Sequence, residues 1–256
     1  ATQLLGCIFS NLTLSSGAIV NPSSGTGYTT SVKNGYFTNI TLSGTGKIIT
    51  GSQTRPSELI NSRFDSVTFG TAETITATEV FGNTFNAAGA GPVVGLVGFE
   101  ARVVKNSDIG VVQYSSVSGT NVINEISDNI FTGTTLGFNI NDNVGVSSSA
   151  KKLIISNNIL PNKILLTENS KNRAILRNVF TGTTGIDFGA LNSTGTSIVI
   201  SNNIFDTSST YFAFSNPVGG VSIKDNLFTA TVPAATSALQ ISSGFSFSNN
   251  TLLDTS

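Results

Sequence analysis

The sequence predicts an all-β fold, a parallel β-solenoid of about eleven coils, on three observations. One phrase recurs: ISDNIF (Ile126–Phe131), ISNNIL (Ile155–Leu160), ILRNVF (Ile175–Phe180), ISNNIF (Ile200–Phe205), IKDNLF (Ile223–Phe228) and FSNNTL (Phe247–Leu252). Its last apolar position can be followed back to Phe9, Phe37, Phe64, Phe85 and Ile109, at intervals of 20 to 29 residues. The composition is 39% hydrophobic but only 11% charged, the remainder being mostly Ser, Thr, Asn and Gly. Such a chain can bury a core, unlike a disordered one, and it has no run of helical period.

Each column of the repeat has a physical reason. Five residues before the anchors stand Leu4, Val32, Leu59, Val80, Val104, Ile126, Ile155, Ile175, Ile200, Ile223 and Phe247, all apolar. Three before, ten of eleven residues are Gly, Asn or Asp; the exception is Arg177. These types tolerate a left-handed backbone, so the chain is expected to bend there. Two before, Asn occurs at 83, 129, 158, 178, 203, 226 and 250, and the strongest ladder of stacked amides is expected from Asn129 to Asn250. In the first three coils, Leu12 and Leu14, Ile40 and Leu42, Val67 and Phe69 alternate with polar residues and mark a second strand. A coil of some 24 residues cannot bury its apolar face alone, whereas stacked coils can. At about 4.8 Å per strand, eleven coils make a rod of about 50 Å.

The whole chain, 1–256, reads as one domain. No amphipathic lid is visible at either end, so it is expected to be part of a larger or an assembled protein.

The run INEISDNIFTGTT … LIISNNILPN … AILRNVFTGTT … IVISNNIFDTS … VSIKDNLFTAT … FSFSNNTLLDT resembles the right-handed parallel β-helix proteins of the pectate-lyase-like superfamily. That superfamily includes polysaccharide lyases and hydrolases, phage tailspikes and surface adhesins. The resemblance spans nearly the whole chain and implies a single-stranded right-handed helix of coils. The lyase catalytic motifs do not carry over. There is no His for their Asp-His pattern, and Arg55-Pro56 lacks the partner arginine of their Arg-x-Pro-x-x-Arg pattern.

Little in the sequence is specialised for chemistry. Without His, the commonest general base and metal ligand are missing, and Cys7, the single cysteine, reads as a small buried apolar residue. No metal and no cofactor is expected. Paired carboxylates would have to lie in one column on neighbouring coils to serve a glycosidase. Glu168 and Asp187, eight and seven residues past their anchors, are the weak catalytic candidates; solvated turn carboxylates are the alternative. Tyr211, beside Phe212 and Phe214, is a candidate glycan contact if it is not core.

Other features point to partners. The column just before the anchors carries Ile130, Ile159, Val179, Ile204 and Leu227. If the anchors point inward these five point outward, a candidate lateral interface; half-burial at a corner is the alternative. The net charge of −1, with scattered Lys and Arg, argues against nucleic acid, and no apolar run is long enough to insert in a membrane. The expected role is a virion-surface component: tailspike or fibre shaft, receptor-binding domain or capsid decoration. It would self-associate as a trimer or end to end, or bind other surface proteins or a cell-surface glycan. A bacterial extracellular adhesin or filament subunit is the first alternative, and a polysaccharide lyase or hydrolase the second.

Overall fold

The computed structural model describes residues 2–21, 29–52, 56–87, 90–98, 100–117, 123–133, 136–142, 152–167, 172–189, 197–207, 210–213, 220–229 and 244–253. Tyr28, Arg55, Glu168 and Phe214 lie outside them.

Among the described residues, parallel strands from successive coils stack into three long faces. Sheet A has eleven strands, from Thr2–Leu5 to Ser246–Ser248. Sheet B is a four-stranded block, starting at Ile8–Leu14, and a five-stranded block of two-residue strands, starting at Ile159–Leu160. Sheet C has nine strands, from Ala18–Val20 to Thr210–Ala213. One coil shows the order: Arg173–Leu176 in sheet A, a bend, Val179–Phe180 in sheet B, then Thr184–Asp187 in sheet C.

The inward columns meet as a stack. Leu4, Val32, Leu59 and Val80 pair in register, as do Ile126, Ile155, Ile175, Ile200, Ile223 and Phe247. Anchor rings lie plane on plane: Phe37 and Phe64 are 4.4 Å apart, and Phe180 and Phe205 4.6 Å. Offset aromatic stacking adds about 0.5–1.5 kcal/mol per pair beyond area burial. Between sheets A and B every coil bends at a left-handed residue. Gly6, Asn34, Asn61, Gly82, Asp128, Asn157, Asn202, Asp225 and Asn249 all have positive φ. Arg177 adopts it too, at 55°, so the stack imposes the bend on a residue that does not favour it.

The first three coils contain a second such residue. Asn11, Asn39 and Ser66, at φ 56°, 52° and 56°, interrupt the alternation of their strands. Strict alternation would put Phe37 and Ile40, three apart, on opposite faces. The flip at Asn39 turns both inward, where they are 0% and 1% exposed. Leu12, Ile40 and Val67 therefore form the expected second column.

The amide ladder follows the bend. Eight asparagines form it, 83, 106, 129, 158, 178, 203, 226 and 250; the first seven each donate Nδ2 to the next amide oxygen at 2.9–3.0 Å, and Asn250 donates to Ile223 O. Each Oδ1 also accepts the backbone N–H of the preceding coil; Asn178 Oδ1 takes that of Asn158 at 3.0 Å. The second Nδ2 hydrogen reaches a strand carbonyl, as from Asn178 to Ile155 O at 3.0 Å. The ladder thus runs farther than the expected Asn129–Asn250. It continues through Ser62, whose N–H donates to Asn83 Oδ1 and whose Oγ accepts from Gly35 N–H. Gly35 ends it because a Cβ there would lie 2.9 Å from Phe37 Cε2.

One coil corrects the predicted register. Val103, not Val104, pairs with Val80 and Ile126. Asn106 belongs to the ladder rather than the bend, and Lys105 takes the left-handed position at φ 58°. The surplus residue is absorbed at Asp108, φ 60°, before buried Ile109. A left-handed lysine costs about 1–2 kcal/mol. The four hydrogen bonds of a buried amide outweigh that, since an unsatisfied buried group costs about 1–3 kcal/mol each.

Among the described residues, the interior holds one ion pair. Arg173 and Asp142 side chains are 0% exposed, with Nε to Oδ2 at 2.5 Å and Nη2 to Oδ1 at 3.0 Å. The guanidinium lies 5.4 Å from the Tyr114 ring centre, and Asn124 Nδ2 donates to Tyr114 Oη at 2.7 Å. Burial raises the Tyr114 hydroxyl pKa, with Arg173 opposing and Asp142 reinforcing the shift.

Two stability predictions follow from these contacts. Asn178→Ala, which strands the Asn158 N–H and Nδ2, should cost about 3 kcal/mol in urea unfolding. Asn157→Ala, exposed at the bend, should cost only about 1 kcal/mol; equal costs would refute the ladder's dominance. Arg173→Met or Asp142→Leu alone should each cost about 3–5 kcal/mol, and the double variant less than either. Additive losses in the same assay would show that the pair is not coupled.

Candidate functional site

The outer faces are where this rod can meet anything else. On sheet B, Ile159, Val179, Ile204 and Leu227 of the five-stranded block pair in one register column, and a single bridge from Ile159 extends it to Ile130. Ile130, Ile159 and Ile204 are 48%, 43% and 38% exposed, and Val179 and Leu227 are partly exposed. The two-residue strands explain this. In Ile159–Leu160, Val179–Phe180, Ile204–Phe205 and Leu227–Phe228 the second residue is the buried anchor, so the first must face out. The sequence-predicted stripe is thus a surface feature about 20 Å long.

Two flanks border it. The bend residues Asp128, Asn157, Arg177, Asn202 and Asp225 stand two positions before the stripe, all exposed. Thr132, Pro161, Thr181, Asp206 and Thr229 stand two positions after it. Arg177 Nε donates to Asn157 Oδ1 at 2.9 Å, and Thr229 Oγ1 donates to Asp206 Oδ1 at 2.9 Å. Neither Arg177 nor Asp206 has an ion-pair partner among the described residues.

Of the two sequence-predicted carboxylates, Asp187 is among the described residues. Asp187 lies on sheet C, with Oδ2 2.7 Å from Lys163 Nζ and Oδ1 accepting from Gly189 N–H. Its candidate partner, Glu168, is outside the described residues. A pair that sequence reasoning missed lies on sheet A: Glu58 and Glu79 are register partners on neighbouring coils. Both stand six residues before an anchor, so the same-column test would have found them. They line a cleft of about 530 Å³ with Pro56, Thr78, Glu100, Arg102 and Ile123. Like charges directly opposite are unfavourable. Cations on both sides offset this, Lys33 at 3.8 Å from Glu58 and Arg102 in contact with Glu79.

Tyr211 is core, which corrects its candidacy as a glycan platform. It is 7% exposed, and its ring lies 4.6 Å from that of Phe228 and edge-on to Phe205. Burial, reinforced by Asp206, raises its hydroxyl pKa. Cys7, expected to be buried, is partly exposed on the first coil.

The outer face of the four-stranded block carries a polar cluster. Asp65 accepts from Arg63 Nε at 2.7 Å and from Asn86 Nδ2 at 2.6 Å. These bonds, Arg63 first, hold its carboxyl down at about 2. A depressed carboxylate stabilises the fold above its unfolded pKa, near 4, and loses that contribution as pH falls towards 2. Carboxyl ¹³C titration should therefore place the Asp65 midpoint near 2, and Arg63→Gln should move it up towards the ordinary Asp value. A midpoint unchanged by that substitution would refute Arg63 as the main cause.

Compared with protein-family models, curated proteins and solved structures, the chain matches none of them.

Proposed function

We propose that this solenoid is a rod-shaped surface component that works by self-association, as the shaft, receptor-binding part or decoration of a virion. The observation that carries this reading is the apolar stripe. Single exposed aliphatics are ordinary on soluble proteins, but five in one register column form a continuous band. Uncharged Ser, Thr and Asn faces with a net charge of −1 suit an extracellular setting. Under this reading the coils wind right-handed, as in the tailspike type of β-helix.

A bacterial adhesin or filament subunit would use the same stripe and differs only in where assembly takes place. The polysaccharide lyase or hydrolase reading is favoured by one feature, Glu58 beside Glu79. A one-strand spacing of about 4.8 Å is close to the separation of a retaining carboxylate pair. Their engagement with Lys33 and Arg102 weighs against it, because a general acid must hold its proton.

Sedimentation equilibrium tests the main reading. The chain should form a discrete oligomer, and Ile159→Glu with Ile204→Glu should give a monomer with an unchanged far-UV spectrum. A wild-type monomer at high micromolar concentration, or an oligomer indifferent to both substitutions, would overturn it.

A further inference from the structure

We propose that copies of this chain pack side by side with their axes parallel and their coils in register. The proposal rests on the self-association reading above and adds its orientation. The stripe is centred on Val179, with Ile130 and Ile159 on one side and Ile204 and Leu227 on the other. Each flank is two residues away, about 6–7 Å at the rise of a strand. Five part-exposed aliphatics alone fall short of the roughly 800 Å² per partner that a standard interface buries. The flanks must therefore enter the contact, and their charges select the orientation.

Stripe can cover stripe in two ways. An antiparallel pair pivots on the Val179 coil and sets the bend column against its own reverse. Arg177 then faces Arg177, and Asp128 and Asp225 face one another at both ends, so every charged meeting is between like charges. Lys224, the cation next to Asp225, stands around the bend in sheet A.

A parallel pair sets the bend column against the opposite flank. Arg177 then faces Thr181, with Asp206 of the other copy one coil along the axis. That offset of about 4.8 Å is within the reach of an arginine side chain. Asp128 and Asp225 face Thr132 and Thr229, and Asp206 faces Asn202. Coil for coil no like charges meet; Asp225 stands one coil from Asp206 of the other copy, on the side away from Arg177, whereas the antiparallel pair sets three like-charge meetings directly face to face. Arg177 and Asp206 gain the counterion that neither has in its own chain among the described residues. The same edge-to-edge contact serves a pair or a closed ring of three.

Disulfide trapping in a Cys7→Ser background reads the orientation directly. Val179→Cys should form a dimer on oxidation in either arrangement and so reports competent association. Ile130→Cys should cross-link to itself, and Leu227→Cys to itself. A mixture of these two, carrying tags of different mass, should give no mixed dimer. Mixed dimers without self-linked ones would overturn the parallel arrangement and leave self-association standing. A sedimentation monomer that also fails to cross-link at position 179 would overturn both.

Discussion

A bend between two short strands must turn the chain sharply inside a stack that water does not enter. The Asn ladder resolves that constraint, and much of the structure depends on it. Each ladder amide uses both hydrogens and its oxygen on neighbours above and below, as Asn178 does with Asn158, Ile155 and Asn203. Shifting one asparagine out of column would strand polar atoms on two adjacent coils. The strength of this requirement is visible where it conflicts with other preferences. Lys105 and Arg177 are forced left-handed, and Asp108 is bulged, so that Asn106 and Asn178 stay in line.

Stacking in register makes each residue its own near neighbour's environment. Apolar and amide groups gain from this, since rings lie on rings and amides donate to amides. Charges lose, because like residues recur at strand spacing. The low charge content follows from that asymmetry, and the charges that remain are mostly interleaved with the opposite sign, as Glu79 is with Arg102 and Lys163 with Asp187. Glu58 beside Glu79 is the departure from this pattern on sheet A, tolerated because each has a cation on its far side.

Legibility in the sequence followed the same physics. The inward columns and the ladder could be read because left-handed bends and buried amides admit few residue types. The coil at Val103 was misread because Asn106 satisfies the demands of both the bend and the ladder, and only pairing separates them. The stripe was legible since strict alternation around the anchors leaves its residues nowhere but outside. Glu58 and Glu79 were equally open to column arithmetic. Arg173 stands two residues before inward Ile175, so alternation implies an inward arginine. Its partner could not be read, because Asp142 comes from another sheet and lies 31 residues away in the chain. Tyr211 was ambiguous in the sequence because an aromatic beside a bend serves core and surface equally; its contacts with Phe205 and Phe228 decide it.

The position of the stripe is itself informative. In the four-stranded block the same column reads Ile8, Tyr36, Arg63 and Thr84, so the column as such does not demand apolar residues. The coils from Ile130 onward do not need them for folding either: their anchors, Phe131, Leu160, Phe180, Phe205 and Phe228, are buried beneath the stripe. Leaving Ile159 and Ile204 exposed gains the isolated chain nothing in hydrophobic burial and increases its risk of non-specific association. Arg177 and Asp206 are charges at the borders of that band without counterions of their own among the described residues. Surplus apolar surface and uncompensated border charges share one face and one height on the rod, and a second copy in parallel register would satisfy both together.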